Sequence, residues 1–144
     1  MDQPSAEHPN AVVAREVFAA LAAGDIDPVF ELMTDDFVMH NDIGAGPWRE
    51  LHGKTEVLDF WTRWMELFDN TFHQEVVDVL GYDNRIVMIM HETGEARGTP
   101  YDNRAVYLHE VRDGKWTSLK TIDLDPDSCR RFWTSVLAQP VPAT

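Results

Sequence analysis

The sequence predicts an α+β domain in which a curved antiparallel sheet wraps around one long helix. Three observations carry that reading. Helical patterns are gathered in the first half and four long strand patterns follow one another in the second, the order expected of an α+β fold. The strongest helix, residues Lys54 to Phe68, sets Val57, Trp61, Trp64 and Phe68 on one face that has to be buried. A sheet bent around that helix makes a cone with one open end, and such a cone leaves an apolar cavity between helix and sheet.

Each element has a local reason. Asn10 can cap a first helix on which Val13, Val17 and Leu21 recur at helical spacing before Gly24 ends it. Asp27 caps a second, short helix with Pro28 at its first position and Phe30, Leu32 and Met33 as its apolar face. Asp35-Asp36 breaks that helix, and Phe37 to Asn41 reads as a short strand. Residues 42–52 hold Gly44, Gly46 and Pro47 and read as a loop. The segments 71–80, 85–96, 105–111 and 115–124 are rich in β-branched and aromatic residues. Turn signals part them at Gly81 to Asn84, Gly98-Thr99-Pro100 and Arg112-Asp113-Gly114, which predicts consecutive antiparallel strands. Asp125-Pro126-Asp127 opens a last helix through Phe132 and Trp133, and the tail from Gln139, with two prolines, is expected to fray.

Composition narrows the function classes. The 144 residues make one domain, 1–144, with a core of about 10–135. The 12 Lys and Arg against 25 Asp and Glu leave a net charge of -13, which repels nucleic-acid phosphates and anionic lipid, so neither is an expected partner. Cys129 is the only cysteine, so no internal disulfide forms, and near a helix start without a basic neighbour it has no nucleophile role. There is no signal-peptide pattern, no apolar run long enough to span a membrane, no glycine-rich phosphate loop and no metal-ligand spacing. The expectation is a cytoplasmic protein with no metal and no cofactor.

Several stretches together carry a family likeness: Asp35-Asp36-Phe37-Val38-Met39-His40-Asn41, the Gly53-Lys54-Thr55-Glu56-Val57 helix start, Pro100 to Arg104, and Arg112 to Trp116 followed by Asp123. In order, over about residues 10–135, the chain resembles the SnoaL-like and ketosteroid-isomerase-like branch of the nuclear transport factor 2 superfamily. The resemblance implies a cystatin-like cone, a homodimer through the sheets, and a fold shared by isomerases, polyketide cyclases, epoxide hydrolases, dehydratases and binding modules. The position of the steroid-isomerase base holds Asn41, which matches the water-holding asparagine of limonene-epoxide-hydrolase-like members. That branch's tyrosine position holds Met39, its arginine falls near His91 and its aspartate near Thr93. The last-strand carboxylate, shared with polyketide cyclases, falls at Thr121.

The residues themselves suggest candidates. Strand alternation puts Asp123 on the face of Thr121; facing an apolar cavity its carboxyl would act as general acid or base, and at the strand end it would instead be a surface residue or helix cap. His91, in the apolar run Ile86 to Met90, is either a proton partner for Asp123, if 89, 91 and 93 face inward, or a half-buried sheet histidine. Only one of Asn41 and Asp42 can point inward on a regular strand; the resemblance favours Asn41, which would orient water or a carbonyl oxygen. Asp42 makes a turn or, at a bulge, faces in instead, and His40 faces the other way. Arg104, sharing a face with Val106 and Leu108, is either an anchor for a substrate oxyanion or an ion-pair residue. Met39, Trp61, Trp64 and Phe68 would line the cavity, Trp48 would close its mouth, and such walls suit a flat apolar ligand. Tyr107, His109, Val111, Trp116 and Ile122 are read as the outer face and Lys120 as a dimer or solvent residue.

The sequence therefore points to a cofactor-independent acid–base enzyme of isomerase, cyclase or hydrolase type, acting on a small hydrophobic carbonyl, enol or epoxide compound. The alternative is a non-catalytic small-molecule-binding or dimerisation module of the same fold.

Overall fold

The computed structural model describes residues 4–138. The tail from Gln139 lies outside the described residues. Four helices, α1 (Pro9–Ala22), α2 (Asp27–Leu32), α3 (Lys54–Leu67) and α4 (Pro126–Leu137), pack with six strands. The strands are β1 (Met33–His40), β2 (Glu50–His52), β3 (His73–Gly81), β4 (Arg85–Ala96), β5 (Thr99–Arg112) and β6 (Lys115–Asp123). They form one curved, unclosed sheet in the order β2-β1-β6-β5-β4-β3. The cystatin-like α+β architecture expected from the sequence is the one observed. Among the described residues no helix is long and apolar enough to cross a membrane.

The helices begin where local chemistry supplies acceptors. His8, rather than Asn10, caps α1: its Nδ1 accepts from the Asn10 amide at 3.1 Å. The Asn10 side chain instead donates to the Tyr82 carbonyl at 2.7 Å, tying α1 to the β3–β4 turn. Asp27 is the first residue of α2 and not its cap; its amide donates to Asp25 Oδ1 at 3.1 Å. The cap of α4 is Asp125, whose Oδ1 accepts from the Ser128 amide at 3.1 Å. On α3 the buried residues are Val57, Phe60 and Trp64, with Phe68 fully buried just past its end, while Trp61 is only half-buried. Burying side chains of this size stabilises by roughly 1.5–3 kcal/mol each, more than intrinsic propensity supplies to a helix of this length.

Two strands, β1 and β5, are longer than their patterns suggest. β1 starts at Met33, so Asp35 and Asp36 lie within it, exposed, where the pairing to β6 shifts register between Met33 and Val38. The turn before β5 is Arg97 and Gly98 alone, at φ of 50° and 79°, and the turn after it is Asp113 and Gly114, at 52° and 75°. Both are two-residue hairpins with left-handed central residues, the twist that antiparallel strands favour. Thr99 and Pro100 therefore belong to β5, and residues 42–52, expected to be loop throughout, contain the short β2 and a 3-10 turn at Ile43–Ala45.

Two further expectations are corrected by the pairing. The sheet is not wholly antiparallel: β1 lies parallel to β6, which the long intervening chain permits. The faces of β4 and β5 are also the reverse of those expected. Met88, Met90 and Glu92 on β4 and Tyr101, Asn103, Ala105, Tyr107 and His109 on β5 are buried. Ile89 and His91, with Arg104, Val106 and Leu108, lie on the convex face. A bulge moves Glu110↔Ser118 to Val111↔Trp116, and the extra residue turns Trp116 inward with Leu119, Thr121 and Asp123. Of the bulky residues expected outside, only Ile122 is exposed.

Candidate functional site

The concave face of the sheet and the inner faces of α1, α2 and α3 enclose an apolar cavity. Its walls include Phe18, Ile26, Val29, Met33, Met39, Phe60, Trp61, Trp64, Phe72 and Leu119. It measures about 90 Å³. A buried water needs ~10–15 Å³ on that scale, so the space suits a compact ligand of one or two rings in place of a handful of waters.

One patch of this wall is polar. Asn103 projects inward from β5, and its Nδ2 lies 3.1 Å from Asp123 Oδ1, 3.1 Å from Tyr101 Oη and 3.3 Å from Glu92 Oε1. One amide nitrogen carries two hydrogens, so these acceptors compete for it. Its orientation is fixed from the other end by the Cys129 thiol, which donates to Asn103 Oδ1 at 3.2 Å. Glu92 also accepts from Tyr107 Oη in a short hydrogen bond, and from Gln74 Nε2 at 3.2 Å. Two carboxyl groups, Glu92 and Asp123, thus face one apolar cavity through a shared amide.

Electrostatics separate these groups by role. Burial raises the Glu92 carboxyl above the usual carboxylate range; the bonds from Tyr107, Gln74 and Asn103 work against that rise, and the Asp123 charge adds to it. Burial, followed by the Glu92 charge, holds both Tyr101 and Tyr107 well above the ordinary phenol value, so they remain donors. Burial pushes the Cys129 thiol up to about 12, reinforced by Asp123. It stays a thiol, in keeping with the absence of a nucleophile role.

Backbone geometry at Gly44 builds the other half of the patch. Its amide donates to Asp123 Oδ2 at 2.6 Å, and its carbonyl accepts from Tyr101 Oη and Trp133 Nε1, each at 3.1 Å. A Cβ here would stand 2.5 Å from Asp123 Oδ1 and 2.8 Å from Asn103 Nδ2, so only glycine admits this approach. Asp42 braces the same corner, accepting from the Ile43 amide at 2.9 Å and the Asp123 amide at 3.1 Å, which is the turn role expected of it.

The structure brings together some of the residues singled out in sequence and not others. Asn41, Asp123, Met39, Trp61 and Trp64 all line the cavity. Asn41 uses its amide locally: Nδ2 donates to the Trp48 carbonyl at 2.9 Å, and Oδ1 accepts from Thr121 Oγ1 at 3.3 Å. Phe68 does not line the cavity; it is fully buried behind it, stacked on Phe132 at 5.9 Å. Trp48 closes no mouth but packs inside against Phe60, Trp64 and Trp133. His91 is on the opposite face of the sheet, with Nε2 2.8 Å from Asp102 Oδ1. Arg104, its cross-strand neighbour, is exposed beside it and faces away from the cavity. The residues missed are Glu92, Asn103, Tyr101, Tyr107, Gln74 and His109. A signal for them existed on β5, where the charged residues Asp102, Arg104 and Glu110 share one parity and mark the solvent side.

The SnoaL-like domain profile matches residues 14–119, most of the chain, and the protein belongs to that family. Solved structures agree at the level of fold. A protein from a soil-derived mobile gene cassette, Bal32a, is 22% identical with a TM-score of 0.79, over 86% of this chain and 95% of that one. A protein of cystatin-like fold from Xanthomonas campestris is 20% identical with a TM-score of 0.75, over 85% and 95% of the respective chains. A protein from Jannaschia, described as a candidate SnoaL-like polyketide cyclase, is 18% identical with a TM-score of 0.72, over 97% and 99%. No curated protein matches the sequence.

Proposed function

We propose that this protein is a cofactor-independent enzyme that moves a proton on a compact hydrophobic carbonyl, enol or epoxide compound. The observation that carries the reading is the pair of carboxyl groups, Glu92 and Asp123, set in an otherwise apolar cavity and bridged by Asn103. Burial raises the Glu92 carboxyl and so favours its proton-donating form, while Asp123, held by the Gly44 amide, is placed to accept a proton; two such groups with different environments divide acid and base work. In this scheme Asp123 takes the proton, Glu92 with Tyr107 donates to the substrate oxygen, and Asn41 orients the loop that borders the ligand. The description of the Jannaschia structure is consistent with chemistry of this kind.

Exchange of the α-protons of 1-tetralone in deuterated water, followed by NMR, tests the reading without knowledge of the natural substrate. We expect the wild type to accelerate exchange, and Glu92→Gln and Asp123→Asn each to lower the rate about a hundredfold, the usual scale for losing a general acid or base. Acceleration that survives both changes would overturn it. The binding-module alternative draws on a different observation: both Asp123 oxygens already receive protein donors, Gly44 and Asn103. It predicts 1-tetralone binding with no exchange in the wild type.

We also propose that the protein forms a homodimer through the convex face of the sheet. Ile89, Val106 and Ile122 are cross-strand neighbours there, flanked by Val87 and Leu108, and together they make an apolar band that no helix of the described residues covers. Arg104, His91, Asp102 and Lys120 surround the band with charges of both signs, as a polar rim surrounds an interface core.

A further inference from the structure

His109 lines the cavity, and the acid–base scheme leaves its chemistry unused. It follows Tyr107 by two positions on β5, so both rings face inward, with centroids 6.4 Å apart. Its other neighbours are aromatic: Trp116 at 4.3 Å and Phe18 at 6.3 Å. The residue is 2% exposed, it lines the cavity, and its buried Nδ1 finds no hydrogen-bond partner among the described residues. A buried polar atom left unpaired costs about 1–3 kcal/mol, and an apolar residue of the same shape would avoid that cost. Folding alone therefore gives no reason for a histidine here; a ligand that supplies the missing partner does.

We infer that His109 is a second polar anchor, which selects ligands carrying a hydroxyl group two β5 residues, ~7 Å, further along the strand than the oxygen held by Tyr107. The rest of the argument is chemical. Burial lowers the imidazole to about 3, so the ring is neutral at physiological pH. A neutral imidazole has one N–H and one bare nitrogen. A hydroxyl both donates and accepts, so it satisfies the ring in either tautomer. A carboxylate or phosphate does not fit: it would be desolvated among Phe18, Trp116 and Leu119 with no cation facing it, in a cavity that already holds Glu92 and Asp123. The ligand class is thus a compact, flat compound with an oxygen at each end, one for Glu92 and Tyr107 and one hydroxyl for His109.

This inference deepens the acid–base reading but is measured without turnover. Quenching of tryptophan fluorescence at pH 7 gives the dissociation constants of 1-tetralone and of 6-hydroxy-1-tetralone, which adds a hydroxyl across the ring system from the carbonyl. We expect the wild type to bind the hydroxylated compound about tenfold more tightly, and His109→Phe to bind the two equally. We expect Glu92→Gln to keep the hydroxyl preference, so loss of proton exchange in that variant tests the catalytic scheme separately. Thermal unfolding of His109→Phe controls for folding: its Tm should equal or exceed that of the wild type. Equal wild-type affinity for the two ketones, binding of neither, or an unchanged preference in His109→Phe would overturn the inference. Should His109→Phe unfold, His109→Gln is the second variant, because a side-chain amide also serves a hydroxyl and should restore the preference in part.

Discussion

His91 and Glu92 are adjacent in the chain and separated by the whole thickness of the sheet. His91 points to Asp102 on the convex side, and Glu92 to Tyr107 and Asn103 in the cavity. His91→Ala should therefore leave tetralone exchange within twofold of wild type, whereas the far smaller change of one added methyl at Gly44 should not be tolerated. In Gly44→Ala the new methyl would meet Asp123 and Asn103 at distances no real contact shows. We expect it to abolish exchange and to lower Tm by several degrees. The acid response of His109 follows from the same logic. Its folded value of about 3 lies below the unfolded 6.5, so the unfolded state binds the extra proton first. Its contribution to stability is intact above 6.5 and is lost as the pH falls toward 3. His109→Phe should flatten that part of the pH–stability curve measured by urea unfolding.

At the scale of elements, the patterns that sequence displays strongly were legible. The α3 stripe, the hairpin at Asp113-Gly114 and the span of β4 all follow from periodicity and turn chemistry. What periodicity does not settle is which face of a doubly apolar strand turns inward. On β4, Ile86, Met88 and Met90 alternate with Val87 and Ile89, and nothing in hydrophobicity distinguishes the two sets. That single ambiguity exchanged Glu92 for His91 and set Tyr107 and His109 outside. On β6 the resemblance sets a cavity residue at Thr121, and alternation puts Asp123 on the same face, which held despite the bulge at the strand's start. Turn chemistry makes its own prediction. Gly114 sits at φ 75° with open space around its Cα. Gly114→Ala should cost about 1 kcal/mol in equilibrium unfolding, from backbone conformation alone, with no change in ligand affinity.

The whole molecule presents two contrasting faces of one sheet. The concave face is occupied by the cavity and its polar patch, and the convex face carries the Ile89–Val106–Ile122 band. The proposed dimer should appear in light scattering at micromolar concentration, and Val106→Arg, which places a charge at the centre of the band, should give a monomer that still binds 6-hydroxy-1-tetralone. A monomeric wild type would exclude the dimer and leave the cavity argument untouched, because each residue invoked there comes from one chain. The dimer band has no local sequence signature, and the shared amide of Asn103 has only the β5 parity of Asp102, Arg104 and Glu110. Both depend on which residues the pairing register sets side by side across strands far apart in the chain.

The parallel pairing of β1 with β6 has a consequence in time. Val38 and Ser118, paired across the sheet, stand eighty positions apart in the chain. Met39 and Asn41, on one wall of the cavity, therefore meet Leu119 and Thr121 only after the eighty positions that part them have left the ribosome. Until then β1 has only the three-residue β2 beside it, and its other edge is open. Contacts of such separation place the chain among slow folders, with a newly made edge exposed to neighbours while it waits. The strand that closes the cavity, β6, is the last of the described strands, so a truncated product ending before it carries the aromatic walls but no binding site.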